Sequence, residues 1–116
     1  FKVADGVMQA RATSNDPAFG CGVRLRASKF KTIEIRMAVL GASETDHCQL
    51  FWGTTLTTIT ESSSIKVPLN ADGQMHTYRF DVGSNPLWRG LVNQLRFDPC
   101  STQGALVSID YIRALP

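Results

Sequence analysis

The side chains of this chain that could do chemistry are few and scattered. Glu34, Glu44, Glu61, Asp81, Asp98 and Asp110 are carboxylates enough for a general acid and a general base. Glycoside hydrolysis needs two such groups facing each other roughly 5 to 9.5 Å apart, and no spacing in the sequence imposes that. His47 and His76 carry imidazoles able to shuttle protons, but each stands alone beside a strand-like run, where a histidine is more often a structural hydrogen-bonding residue. No GxSxG, HExxH, phosphate-loop or dinucleotide motif is present. The chain is therefore expected not to be an enzyme. Cys21, Cys48 and Cys100 are an odd number without a CxxC pair, and His47 beside Cys48 falls short of the about four ligands of a structural zinc. A Cys21–Cys100 bridge closing a long loop and a set of buried free thiols are both compatible with this spacing.

A second constellation suits binding rather than bond breaking. Arg36, Arg79, Gln94, Arg96 and Asp98 offer planar donor and acceptor pairs that match adjacent hydroxyls, and Trp52, Trp88, Tyr78 and Phe51 offer faces on which the C–H face of a sugar ring stacks. Parity decides which of these act together. If Leu95 and Phe97 face a core, then Gln94, Arg96 and Asp98 share the opposite face, as do Thr77, Arg79 and Asp81 on the neighbouring run. That predicts a polar strip across adjacent strands. Its plainer alternative is a solvated face with cross-strand ion pairs such as Arg79 with Asp98, each contributing about 0.2 to 1 kcal/mol. Trp88, between strands in NPLWRG, is either a lid on the core or an exposed platform; Trp52, on the face of Cys48 and Leu50, is either core or platform.

The elements that position these residues are strands. TIEIRMAVLG alternates Ile33, Ile35, Met37 and Val39 against Glu34, Arg36 and Ala38, and SIKVPLN groups Ile65, Val67 and Leu69, with Pro68 marking an edge strand. HTYRFDV and QLRFD alternate in the same way, and ALVSIDYIR sets Val107, Ile109 and Tyr111 against Ser108 and Asp110. With VMQARA, CGVRLRA and CQLFW, this makes about eight strands separated by Gly, Pro, Asn, Asp and Ser turns, the pattern of an all-β antiparallel β-sandwich or barrel. TTLTTITESSS reads as a loop with some strand character, in which Leu56 and Ile59 could pack as a flap.

At 116 residues and 43% apolar composition, the chain is expected to form a single domain, residues 1–116. It begins at Phe1, as expected for a processed product or a domain excised from a longer protein. No apolar run approaches the roughly 18 residues of a membrane span. A net charge of +2 gives no general pull toward nucleic acid. Arg24, Arg26, Lys29 and Lys31 form the one short basic run, read as a positively charged strand edge in preference to a phosphate-binding stripe.

Taken in order, NDPAF, QLFW, ADGQMHTYRFDV, NPLWRG, NQLRFDP and VSIDYIRAL resemble a recurring bacterial accessory module over nearly the whole chain. That module is a jelly-roll β-sandwich of the galactose-binding-like, carbohydrate-binding class, attached to polysaccharide-active enzymes or surface proteins. The resemblance implies a noncatalytic polysaccharide-binding role, a parent catalytic domain as partner and a secreted or cell-surface location. It also implies a structural calcium, for which Asp5 and Asp110 are the candidate ligands, with carbonyls completing the six to eight oxygens calcium takes. The alternative within the same fold is a structural or protein-contact domain that packs on its parent enzyme without binding sugar.

Overall fold

A run with an apolar residue at every second position buries them all on one side only if its backbone is extended and pleated. The computed structural model describes residues 19–116 in full, together with the backbone of residues 2–4, 7–9 and 12–14. Three short strands come first: β1 (Lys2–Ala4), β2 (Val7–Gln9) and β3 (Ala12–Ser14). Longer ones follow: β4 (Phe19–Arg26), β5 (Thr32–Leu40), β6 (His47–Thr54), β7 (Ser64–Pro68), β8 (Asp72–Phe80), β9 (Leu91–Asp98) and β10 (Leu106–Leu115). The protein is all-β, and the seven longer strands form two antiparallel sheets, β10-β5-β8 and β4-β9-β6-β7, packed as a sandwich. This is one long strand fewer than expected. The short strands supply the difference, since β2 and β3 pair with β10, and β1 pairs with β2. Counted as one leading strand they lie beside the last, and successive strands change sheet except at the β6–β7 hairpin, which is jelly-roll order.

The core is the inner face of both sheets. Ile33, Ile35, Met37 and Val39 of β5 meet Leu50 and Trp52 of β6 and Leu95 and Phe97 of β9 in one cluster, and the Phe80 and Phe97 rings pack edge-on with centroids 5.9 Å apart. Pleat parity holds on β8 and, beyond a register shift at Asn93, on β9, where Tyr78, Phe80, Leu95 and Phe97 are buried and Arg79, Gln94 and Arg96 are exposed. Pro68 ends β7, an edge strand, as expected of a residue with no amide hydrogen to donate.

Two expectations need correction. The polar strip is not continuous, because β8 and β9 lie in different sheets; Arg79 and Asp98 therefore occupy opposite outer faces and cannot pair. Parity on β10 breaks at a bulge between Ile109 and Tyr111, where Asp110 is the extra residue. The bulge buries Ile112 and Ala114 and turns Tyr111 outward, where its hydroxyl donates to Glu34 Oε2 at 2.9 Å. Of the two alternatives open for the cysteines, the structure has the free thiols: Cys21, Cys48 and Cys100 are all unbridged.

The Thr/Ser-rich segment is a loop between β6 and β7. The Thr54 hydroxyl accepts from the Leu56 and Thr57 amides, and Ser63 accepts from the Thr60 amide, so side chains replace the missing ladder bonds. Ile59 does pack as a flap, its Cγ1 lying 3.4 Å from where a side chain at Gly53 would begin, whereas Leu56 is 84% exposed. Among the described residues, no helix is long and apolar enough to cross a membrane.

Candidate functional site

The outer face of the four-stranded sheet carries a polar groove that strand register assembles. Pairing of β6 with β9 sets Gln49 opposite Asp98 and Phe51 opposite Arg96, and pairing with β7 sets Lys66 beside Gln49. Arg96 donates from Nε to Asp98 Oδ1 and from Nη2 to Oδ2, each at 3.0 Å, while its guanidinium carbon lies 5.1 Å from the centre of the Phe51 ring. Gripped by a carboxylate and stacked on an aromatic ring, this guanidinium is pre-oriented, and it keeps N–H donors beyond those given to Asp98. Gln49 Nε2 donates to Glu61 Oε1 and to Ser64 Oγ, both at 2.9 Å, which orients its amide oxygen as an acceptor.

One end of the groove is built on Asp46. This carboxylate is buried and accepts hydrogen bonds from the backbone amides and hydroxyls of Ser101 and Thr102 and from the amide of His47, over 2.6 to 3.1 Å. Burial works to raise its pKa, but the hydrogen bonds from Ser101, Thr102 and His47 outweigh it and hold the group well below the usual carboxylate range. Asp46 thereby clamps the turn before β6 to the turn after β9. Between them opens a cavity of about 540 Å³, lined by His47, Gln49, Lys66, Arg96 and Asp98, with Ser43, Thr45 and Ser101 also bordering it.

The residues expected to bind ligand are thus distributed over three places. Arg96 and Asp98 line the groove, and Gln94 lies on the same sheet face, opposite Gly22 and Gly53. Arg36 and Arg79 lie on the outer face of the other sheet. There Arg36 Nη1 donates to Asp110 Oδ2 at 3.0 Å and Arg79 Nε to Glu34 Oε1 at 2.9 Å. Glu34 is 1% exposed and is also bonded by Arg113 and Tyr111, so this cluster is an ion-pair network centred on a buried carboxylate, with the Arg79 side chain exposed at its rim. Trp52 and Trp88 are neither platform nor contact surface. Both are buried, their rings meet edge-on at 5.4 Å, and their indole N–H groups donate to the carbonyls of Leu87 and Phe30. Trp88 is the lid that NPLWRG suggested. His76, the other candidate proton shuttle, is bonded to Asp72 at 2.8 Å.

Of the expected calcium ligands, Asp5 lies outside the described residues, and one oxygen of Asp110 is held by Arg36. Among the described residues, no group of three or more His, Cys, Asp or Glu converges on a metal-sized site.

Sequence reasoning missed Asp46, Gln49 and Lys66. Their meeting with Arg96 depends on which strands are neighbours. Only the hydroxyl pair Ser101–Thr102 after DPC hinted at an anion clamp. Fold and groove together define a small antiparallel jelly-roll β-sandwich with a hydrogen-bonding cleft on one sheet face. Comparison with protein-family models and with curated proteins finds no match to the chain.

Proposed function

We propose that this chain is a noncatalytic glycan-binding module, which holds a polysaccharide in the groove beside Arg96 and so brings a larger exported or surface protein to it. The observation that carries this reading is the composition of the groove, where oriented donors (Arg96, Lys66, hydroxyls) alternate with oriented acceptors (Asp98, the Gln49 amide oxygen). Sugar hydroxyls each donate and accept, so they match such a lining, whereas a purely apolar or purely charged cleft would leave them unpaired. With both tryptophans in the core, recognition rests on these hydrogen bonds and on the exposed face of the Arg96 guanidinium. The two carboxylates of the groove are poorly suited to catalysis, since Asp46 is kept ionised by its donors and Asp98 is gripped by Arg96.

A glycan array probed with the 116-residue chain tests this, followed by titration of the best-bound polysaccharide. Saturable binding that Arg96→Ala weakens by about tenfold or more is the expected result, the equivalent of losing one or two charge-assisted contacts. Silence across the panel, or binding indifferent to Arg96→Ala, overturns it, and release of shortened sugars would mark a hydrolase. Calcium belongs to this proposal through Asp5 and Asp110, and a rise in melting temperature on adding calcium, reversed by chelation and lost in Asp110→Asn, is its test.

One observation favours the second reading, a protein-contact domain. On the outer face of the three-stranded sheet, Leu40 and Leu106 are register partners, 54% and 53% exposed, with Met75 opposite the neighbouring Ala38. An apolar cluster of this kind suits packing on a parent domain.

A further inference from the structure

At the far end of β9 from the groove, a second cavity of about 520 Å³ is lined by Arg24, Arg26, Ser28, Gly90 and Leu91. Val23 and Leu25 point into the core, so pleat parity places both arginines on the outer face of β4, roughly 7 Å apart along the strand. The Ala27 amide donates to the Gly90 carbonyl at 2.9 Å, which fastens the end of β4 to the turn after Trp88; Gly90 there has φ +65° and leaves the space open.

Among the described residues, Arg36, Arg79, Arg96 and Arg113 each have a carboxylate partner. Arg24, Arg26 and Arg89 have none, and of these Arg24 and Arg26 line the cavity together although their like charges repel. A positively charged edge explains β4 being an edge strand, as it is, but edge protection needs no cavity and no pairing of guanidinia on the sheet face. Two arginines on one strand face, lining a cavity together with a serine hydroxyl, suit a tetrahedral or planar oxyanion.

We infer that Arg24, Arg26 and Ser28 form an oxyanion subsite for a carboxylate or sulfate group carried by a glycan. The span along β9 puts it roughly 17 Å from Arg96 and roughly 23 Å from Asp98, the neutralised pair of the groove on the same sheet face. A polysaccharide lying along β9 would reach both, so the preferred ligand is an acidic polysaccharide. This choice of ligand rests on the glycan reading; the oxyanion subsite does not.

The test is amide and arginine Nε chemical-shift titration of the whole chain with sodium sulfate, glucuronic acid and two oligosaccharides of equal length, one neutral and one of uronic acid. Saturable shifts at Arg24, Arg26, Ser28 and Gly90 with sulfate or glucuronate are expected, and the stronger of the two identifies the group. The uronate oligomer should bind about tenfold more tightly than the neutral one, an advantage that Arg24→Gln/Arg26→Gln removes and Arg89→Gln, at an exposed arginine outside the cavity, leaves intact. No saturable shift with either anion overturns the subsite, as does an equal loss in Arg89→Gln, which would mean a diffuse field. Anion shifts without binding of either oligosaccharide sink the glycan reading and leave the anion subsite standing. Preference for duplex DNA over the uronate oligomer overturns the glycan as source. Spectra of the variants unchanged away from β4 establish that they are folded, and Arg24→Lys/Arg26→Lys should recover part of the loss.

Discussion

Replacing Asp46 by Asn tests the clamp on which the groove is built. The carboxylate accepts from five donors, two backbone amides and two hydroxyls of Ser101 and Thr102 and the His47 amide. An Asn side chain offers one oxygen, and its amide nitrogen would confront donors with another donor. A hydrogen bond to a charged group is worth about 1.5 to 3 kcal/mol. Ser101 is exposed and Thr102 half-buried, so water can replace part of what is lost. Counting two bonds at the lower figure gives a cost of about 3 kcal/mol. At roughly 4 °C per kcal/mol for a chain of this size, Asp46→Asn should melt about 12 °C lower.

The pH dependence gives an independent check. Because the folded pKa of Asp46 lies below the ordinary 3.8, its contribution is complete above that value and is lost as pH falls below it. The wild type should therefore lose up to about 1.4 kcal/mol per pH unit from this group, a loss the Asn variant cannot show. Glu34 is also held below its usual pKa: burial opposes ionisation, but hydrogen bonds from Tyr111 and Arg113 and the charges of Arg113 and Arg79 prevail. That contribution is common to both proteins and cancels in the difference. Urea unfolding of the pair from pH 7 to pH 2 reads the gap directly. A gap under about 1 kcal/mol at neutral pH, or one that stays constant down to pH 2, would refute the clamp.

Two other outcomes follow from the core. Trp52→Ala should destabilise by about 3 to 5 kcal/mol, since it empties a site packed against Trp88 and frees the Leu87 carbonyl, and groove binding should survive below the lowered melting point; a loss of affinity in the folded variant would return Trp52 to the site. Burial pushes the Cys48 thiol up to about 12, and the Cys21 and Cys100 thiols are also raised chiefly by burial. With a thiol-exchange reagent at pH 8, the half-buried Cys21 should react slowly in the native protein and the other two only on unfolding, and two fast thiols before unfolding would contradict this packing.

The local pattern by itself determined the strands and their inner faces, because a two-residue period can be satisfied only by a pleated ribbon with one buried side. Leu95, Phe97, Tyr78 and Phe80 are buried for that reason, and Pro68 marked an edge because its missing amide hydrogen is a property of one residue. Neighbourhood is not local. The sandwich puts β8 and β9 into different sheets, which separates Arg79 from Asp98 and instead brings Gln49, Phe51 and Lys66 to Arg96 across strand contacts that no spacing encodes. The bulge at Asp110 likewise reversed Tyr111, since an inserted residue shifts the period without altering the composition of the run. Alternation decides which way a side chain points, and only the assembled sheets decide what it meets there.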